Sequence, residues 1–143
     1  MKVYEDYTRQ SLPSRKYREL LGSAICVFNS NNSFIIENIL SHDNDGEYDW
    51  YSLIDKTSGE LAKPIKQTIT LNSNTKIATA FGNLIATRNR IVHSFQGTSE
   101  NGQQILATKT RDGEQFIITE EYLYDFIKKN EELSDSLHDF RGN

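Results

Sequence analysis

The sequence predicts a mainly α-helical, antiparallel bundle with one β-hairpin placed before its last helix. Three observations carry that prediction. Apolar residues recur at steps of three and four over three long stretches, the spacing of a helix face turned to a core. Asp112-Gly113 separates two short runs rich in strand formers, the strongest local hairpin signal in the chain. The 143 residues are well supplied with Leu, Ile, Val and Phe, enough for one domain with a real core, and no repeat or linker marks a second.

Composition bounds what such a bundle does. No apolar run approaches the roughly 18 residues of a membrane span, so no membrane partner is expected. The opening Met1-Lys2-Val3-Tyr4-Glu5-Asp6 lacks a signal peptide's apolar segment, and the cytoplasm is the expected compartment. Cys26 is the single cysteine, which excludes an intrachain disulfide; inside Ala24-Ile25-Cys26-Val27-Phe28 it reads as a small core residue. The net charge of −4 argues against binding long nucleic acid through a general surface field. RNA or nucleotide binding would depend on a local cluster, for which Lys76, Arg88 and Arg90 on one helix are the candidates.

In chain order, Met1 to Pro13 reads as an irregular arm with a short helical turn. A long helix follows over about 14–41, entered after Pro13 and carrying Tyr17, Leu21, Ala24, Phe28, Ile35 and Ile39 at near-helical spacing. Asn31 takes a position that this stripe would give to an apolar residue, and Glu37 and Asn38 follow one to two turns later. Polar groups on an inner face must be hydrogen-bonded; these three either form a structural network with Arg88 or line a functional groove. His42-Asp43-Asn44-Asp45-Gly46 is a loop, acidic but without the closing glutamate of a calcium loop, so no metal site is expected there. Short helices fill about 48–70. The first has an aromatic face in which Trp50 and Tyr51 are expected to anchor a core or an interface. The second opens on the capping box Thr57-Ser58-Gly59-Glu60, with Pro64 tolerable only in a first turn. Asn72-Ser73-Asn74 supplies the cap of a central helix over about 75–95. Gln96 to Gly102 reads as a turn-rich loop, the hairpin spans about 104–119, and the last helix runs over about 120–140 with Leu123, Phe126, Leu133, Leu137 and Phe140 on its stripe.

The central helix breaks its own pattern. Ile77, Phe81, Leu84, Ile91 and Phe95 form the stripe, and the missing tooth is Arg88. A guanidinium on a buried stripe does not lose its charge, so it needs an acidic partner, a wet groove or an anionic ligand. His93, the side chain that most readily exchanges protons near neutral pH, follows closely. Successive helical residues are about 100° apart, so Asn89 and His93 share a face while Arg88 and His93 diverge by roughly 140°. A two-fold dimer would nonetheless gather two arginines and two histidines in one pocket, positive without the whole protein being basic. Its chemistry would be cleavage of an RNA phosphodiester. His93 would take the proton of a 2′-hydroxyl or protonate the leaving 5′-oxygen, Arg88 would hold the non-bridging oxygens, and Asn89 would orient either partner. The attacking group belongs to the RNA, so no metal and no cofactor is called for.

Arg88-Asn89-Arg90-Ile91-Val92-His93 resembles the R-x4-6-H signature of the HEPN superfamily (higher eukaryotes and prokaryotes nucleotide-binding domain), including the polar residue often found just after the arginine. The organisation is similar too: a long first helix with inner polar residues, and the signature late on a later helix. The resemblance implies a homodimeric HEPN-like bundle and, in many members, a metal-independent endoribonuclease of toxin–antitoxin, phage-defence or RNA-processing systems, with an antitoxin or other regulatory protein as a further partner. Carried over, Arg88 and His93 would be catalytic and Asn89 accessory, with Arg90, Asn31, Glu37 and Asn38 supporting. In the toxins paired with a small nucleotidyltransferase antitoxin the signature continues to a tyrosine two residues past the histidine. Here that position is Phe95, which has no hydroxyl to modify.

The same residues admit other readings. Arg88 pairs with Glu37 or another carboxylate in a purely structural one, and His93 is then a helix-end histidine, where positive charge is favourable by about 0.3–1 kcal/mol. A domain of that kind would be a non-catalytic dimerisation or interaction module, with the hairpin as its partner-binding edge, or a nucleotide-binding sensor. His42 and His138 are isolated and read as surface residues. Three scattered histidines and one cysteine leave no set for a structural zinc.

Overall fold

The structure, a computed structural model, describes residues 3–142; Met1 and Lys2 of the expected arm and Asn143 of the tail lie outside the described residues. The fold is mainly helical, as the periodicity predicts. Helix α1 spans Arg15–Ser41, α2 Trp50–Ile54, α3 Ala62–Ile65 and α4 Lys76–Val92; strands β1 Phe95–Thr98, β2 Gln104–Lys109 and β3 Gln115–Ile118 follow, and α5 Glu120–Arg141 closes the chain.

Each long helix forms where its stripe and its caps agree. Ser14 caps α1 by accepting from the Tyr17 amide, and Tyr17, Ala24, Phe28, Ile35 and Ile39 are buried along it. Thr119 caps α5 in the same way through the Tyr122 amide, and Gly142, in the left-handed region at φ 84°, ends it. On α4 the cap lies one residue earlier than usual, with the Asn74 side chain accepting from the Lys76 amide at 2.9 Å. Three phenylalanines bind these helices together: the Phe28 ring of α1 stacks on Phe81 of α4 at 5.8 Å and on Phe126 of α5 at 6.1 Å.

Contacts along the helices give their directions. Lys16 pairs with Glu120, Asn31 bonds Asn130, and Phe34 packs on His138, so α1 and α5 run parallel. The Thr87 side chain, late on α4, bonds Tyr122 at the start of α5, and the groove between the two helices continues to Lys76 and Ser136, so α4 runs against α5 and therefore against α1. The antiparallel arrangement expected of the bundle therefore holds for α4, and the sheet returns the chain so that α5 lies alongside α1.

The hairpin is the outer two-thirds of a three-stranded antiparallel sheet in the order β1-β2-β3. Its Asp-Gly turn is as expected, with Gly113 at φ 89° and its amide bonded to the Thr110 carbonyl at 3.0 Å. The extra strand comes from the stretch read as a loop: Phe95 pairs with Ala107 and Thr98 with Gln104, and only Ser99 to Gly102 turn. Gln96, Gly97 and Thr98 have no alternation to announce a strand; the partner's open edge recruits them. Tyr17 fastens the sheet to α1, its hydroxyl donating to the Ile118 carbonyl at 2.6 Å and accepting from the Leu106 amide at 3.1 Å.

Several side chains differ from expectation. Cys26 is exposed, because Ala24 and Phe28 take the buried stripe and the residue midway between them points the other way. Trp50 and Tyr51 are exposed and Leu53 is the residue that α2 buries, once Asp49 has capped the helix through the Ser52 amide. The capping box at Thr57 and Glu60 is present, but it opens a 3-10 turn, Ser58–Leu61, that leads through α3 into a π-helical turn, Lys66–Thr70. His42 is half-buried rather than free on the surface: its ring packs 4.3 Å from that of Phe140, and Nδ1 lies 3.1 Å from the Asn38 carbonyl. His138 is exposed, with its ring against Phe34.

Candidate functional site

Helix α4 stops at Val92, short of the expected Phe95, and this sets the site. The His93 amide still bonds the Asn89 carbonyl at 2.9 Å, but ψ has opened to 40° and the Ser94 hydroxyl donates to the Ile91 carbonyl. His93 is thus the last residue of the helix cap and lies two residues before the start of β1, where it is exposed to solvent. Phe95 leaves the core stripe and is 46% exposed on the sheet.

Arg88 keeps its place on the stripe between buried Leu84 and Ile91 and is half-buried. Its guanidinium lies over the Phe28 ring, 4.9 Å from the centroid, a cation–π contact on the edge of the aromatic core. Nε donates to the Asn89 side-chain oxygen at 3.1 Å. The ion pairs among the described residues are Arg15–Glu5, Lys16–Glu120, Arg18–Glu5 and Lys129–Asp125, so Arg88 has no carboxylate partner there. Asn89 is half-buried beside it and holds the guanidinium by its oxygen. Arg90 turns to the other side of the helix, where it donates to the Lys109 carbonyl at the end of β2. Near that end, burial pushes the Tyr122 phenol above its ordinary pKa, with the Thr87 side chain and the Arg90 charge acting in the opposite direction.

The polar residues of α1 are placed elsewhere. Asn31 is buried against α5 and its amide donates to the carbonyl and the side-chain oxygen of Asn130, at 2.7 and 3.0 Å. That pair satisfies the polar gap in the stripe, and the network foreseen with Arg88 is a network with Asn130. Asn38 is fully buried and donates to the Phe34 carbonyl one turn back. Glu37 is exposed, with no ion pair among the described residues. Lys76 sits twelve residues before Arg88, about 18 Å along the helix at 1.5 Å per residue, so the three basic residues of α4 do not form one cluster.

The structure therefore brings Arg88 and Asn89 together, leaves His93 in solvent at the helix end, and adds residues that helical spacing did not suggest: Phe28 as the floor under the guanidinium, Lys109, whose carbonyl holds Arg90, and Phe95 at the start of β1. Cross-strand register is the signal for the last two, and it became readable only with β1. A cleft of about 680 Å³ lies away from these residues, between the loop at Asp43 to Tyr48 and the turns at Lys63 to Asn72. Asp43 in that loop is occupied in accepting from the Glu47 and Tyr48 amides. Comparison with protein-family models, with curated proteins and with solved structures finds no match to this chain.

Proposed function

We propose that the chain is a HEPN-type endoribonuclease, working as a homodimer in which Arg88 and His93 of two copies form a composite site, in a toxin–antitoxin or phage-defence setting. The observation that carries this reading is the half-buried Arg88, which holds a permanent charge over an aromatic ring with no carboxylate to neutralise it among the described residues. A cation desolvated on one side and left without a counter-ion is a ready seat for an anion. A phosphodiester supplies that anion. Arg88 then holds its non-bridging oxygens and stabilises their growing charge, and Asn89 fixes the guanidinium through the Nε bond. An exposed imidazole five residues on is free to meet an RNA chain and exchange protons with the 2′-hydroxyl or the 5′-oxygen. The 2′-hydroxyl is the nucleophile, so the chemistry proceeds without activating water.

The test is cleavage of RNA in the presence of a chelator. The reading expects products ending in 2′,3′-cyclic phosphate and a loss of at least about 100-fold in rate in His93→Ala and in Arg88→Ala, with helical content unchanged. Light scattering should give twice the chain mass. A folded chain that leaves RNA intact sinks the nuclease and leaves an interaction module or a nucleotide sensor, which equilibrium binding of mononucleotides separates.

A further inference from the structure

The antiparallel register sorts the sheet into two faces. Thr108 and Ile118 are fully buried against the helices, with Leu106 partly so, whereas the alternate positions Phe95, Ala107 and Ile117 form one cross-strand row on the opposite face. Phe95 is 46% and Ile117 44% exposed in that row. The next row holds Lys109 opposite Gln115, and Lys109 is exposed. Lys109 lies two residues past Ala107 on β2, diagonal to Phe95 across the β1–β2 pair. Arg90 ties this corner together through the Lys109 carbonyl. His93, at the end of α4, lies two residues before Phe95 on the chain.

We infer that this outward face is a platform for single-stranded RNA, on which the Phe95 ring stacks a base and the Lys109 ammonium takes a backbone phosphate, next to His93. The choice of RNA rests on the nuclease reading; the platform itself rests on the register. An open aromatic ring with a cation diagonal to it is the arrangement that binds unpaired bases, since every base offers a π-face. The strand positions Phe95, Gly97, Ala107, Lys109, Gln115 and Ile117 of this face include no carboxylate, and Ile105, at the same parity, packs partly against the core. Asp112 and Glu114 lie beyond, in the β2–β3 turn, and Glu100 and Glu120 border a cleft that Ile105 and Ile117 also line, so these two carboxylates stand on the Ile117 side of the row, away from Lys109. A protein partner fits less well. The apolar patch has two large exposed members, Phe95 and Ile117, and is broken by Gly97, Lys109 and Gln115. A base flattened on Phe95 places its nucleotide beside the one whose 2′-hydroxyl His93 would deprotonate, so the platform would select unpaired over duplex substrate.

The experiment measures binding of a short oligoribonucleotide containing 2-aminopurine to the His93→Ala protein, whose fluorescence quenching reports stacking. Expected results are quenching by the single strand, weaker binding of the duplex, and a loss of about tenfold in affinity with loss of quenching in Phe95→Leu, both restored in Phe95→Tyr. Lys109→Gln should lower the slope of log affinity against log salt by about 0.7, one phosphate's worth. Circular dichroism checks that each variant folds; Phe95→Leu keeps the apolar contact and removes only the ring. Binding that is absent, or that neither variant changes, overturns the inference, as does a Phe95→Leu protein that loses only self-association. If RNA is cleaved while Phe95 proves irrelevant, the nuclease stands and the platform falls; if stacking depends on Phe95 while the unsubstituted protein cleaves nothing, the platform stands and the nuclease falls.

Discussion

Replacing Arg88 by Met separates an arginine kept for a ligand from one kept for the fold. Arg and Met have nearly equal helix propensity and similar length, so the backbone of α4 has no reason to respond. The substitution removes the contact with the Phe28 ring, about 0.5–1 kcal/mol. It also removes the bond from Nε to Asn89, about 0.5–1.5 kcal/mol. Against these stand the relief of a half-desolvated cation and roughly 40 Å² of added apolar cover on the ring, about 1 kcal/mol at 25 cal/mol/Å². The terms nearly cancel, and stability should stay within about 1 kcal/mol of the parent. An arginine locked to a buried carboxylate behaves otherwise, since removing one partner of such a pair costs about 3–5 kcal/mol. Urea unfolding followed by far-ultraviolet circular dichroism resolves the two. With a slope of about 2 kcal/mol/M, the midpoint should move by less than about 0.5 M, against 1.5 M or more for a structural pair. RNA cleavage by the same protein should fall at least about 100-fold. A large drop in midpoint, or activity that survives, would refute the reasoning.

Tyr17→Phe removes a hydroxyl bonded to both β2 and β3, and should destabilise the chain by about 1–3 kcal/mol and speed hydrogen exchange at the Leu106 amide first; protection unchanged at that amide would show that the sheet is held elsewhere. Asn31→Ala strips a buried partner from Asn130 and should cost about 1–3 kcal/mol, while RNA cleavage per folded molecule stays the same; a selective loss of cleavage would move Asn31 into the site. The Asp49 carboxylate is held below its usual range by hydrogen bonds from Ser52, and that of Glu60 by hydrogen bonds from Thr57. A carboxyl with a lowered folded pKa stabilises fully above its unfolded value and loses that contribution as pH falls through the folded one, so the melting temperature should decline below about pH 4. The decline should be shallower in Glu60→Gln, and a parallel curve for that variant would remove Glu60 from the account.

The sequence by itself determined what depends on neighbours along the chain. Steps of three and four placed α1, α4 and α5, Asp112-Gly113 placed the tight turn, and Thr57 with Glu60 announced their reciprocal cap, because helix faces, turns and caps are set within a few residues. It also picked out Arg88 as the residue out of pattern. What Arg88 meets was decided only by the tertiary structure: the Phe28 ring and the Asn89 oxygen rather than Glu37. The same holds for Asn31, whose partner Asn130 lies 99 positions away. Strand β1 is the plainest case, since Phe95 continues the apolar stripe by spacing and is drawn out of the helix by pairing with Ala107. Pairings across the chain depend on which edges the packed helices leave open, and no local propensity records that. The position of His93, in solvent between a helix end and a strand, follows from that capture.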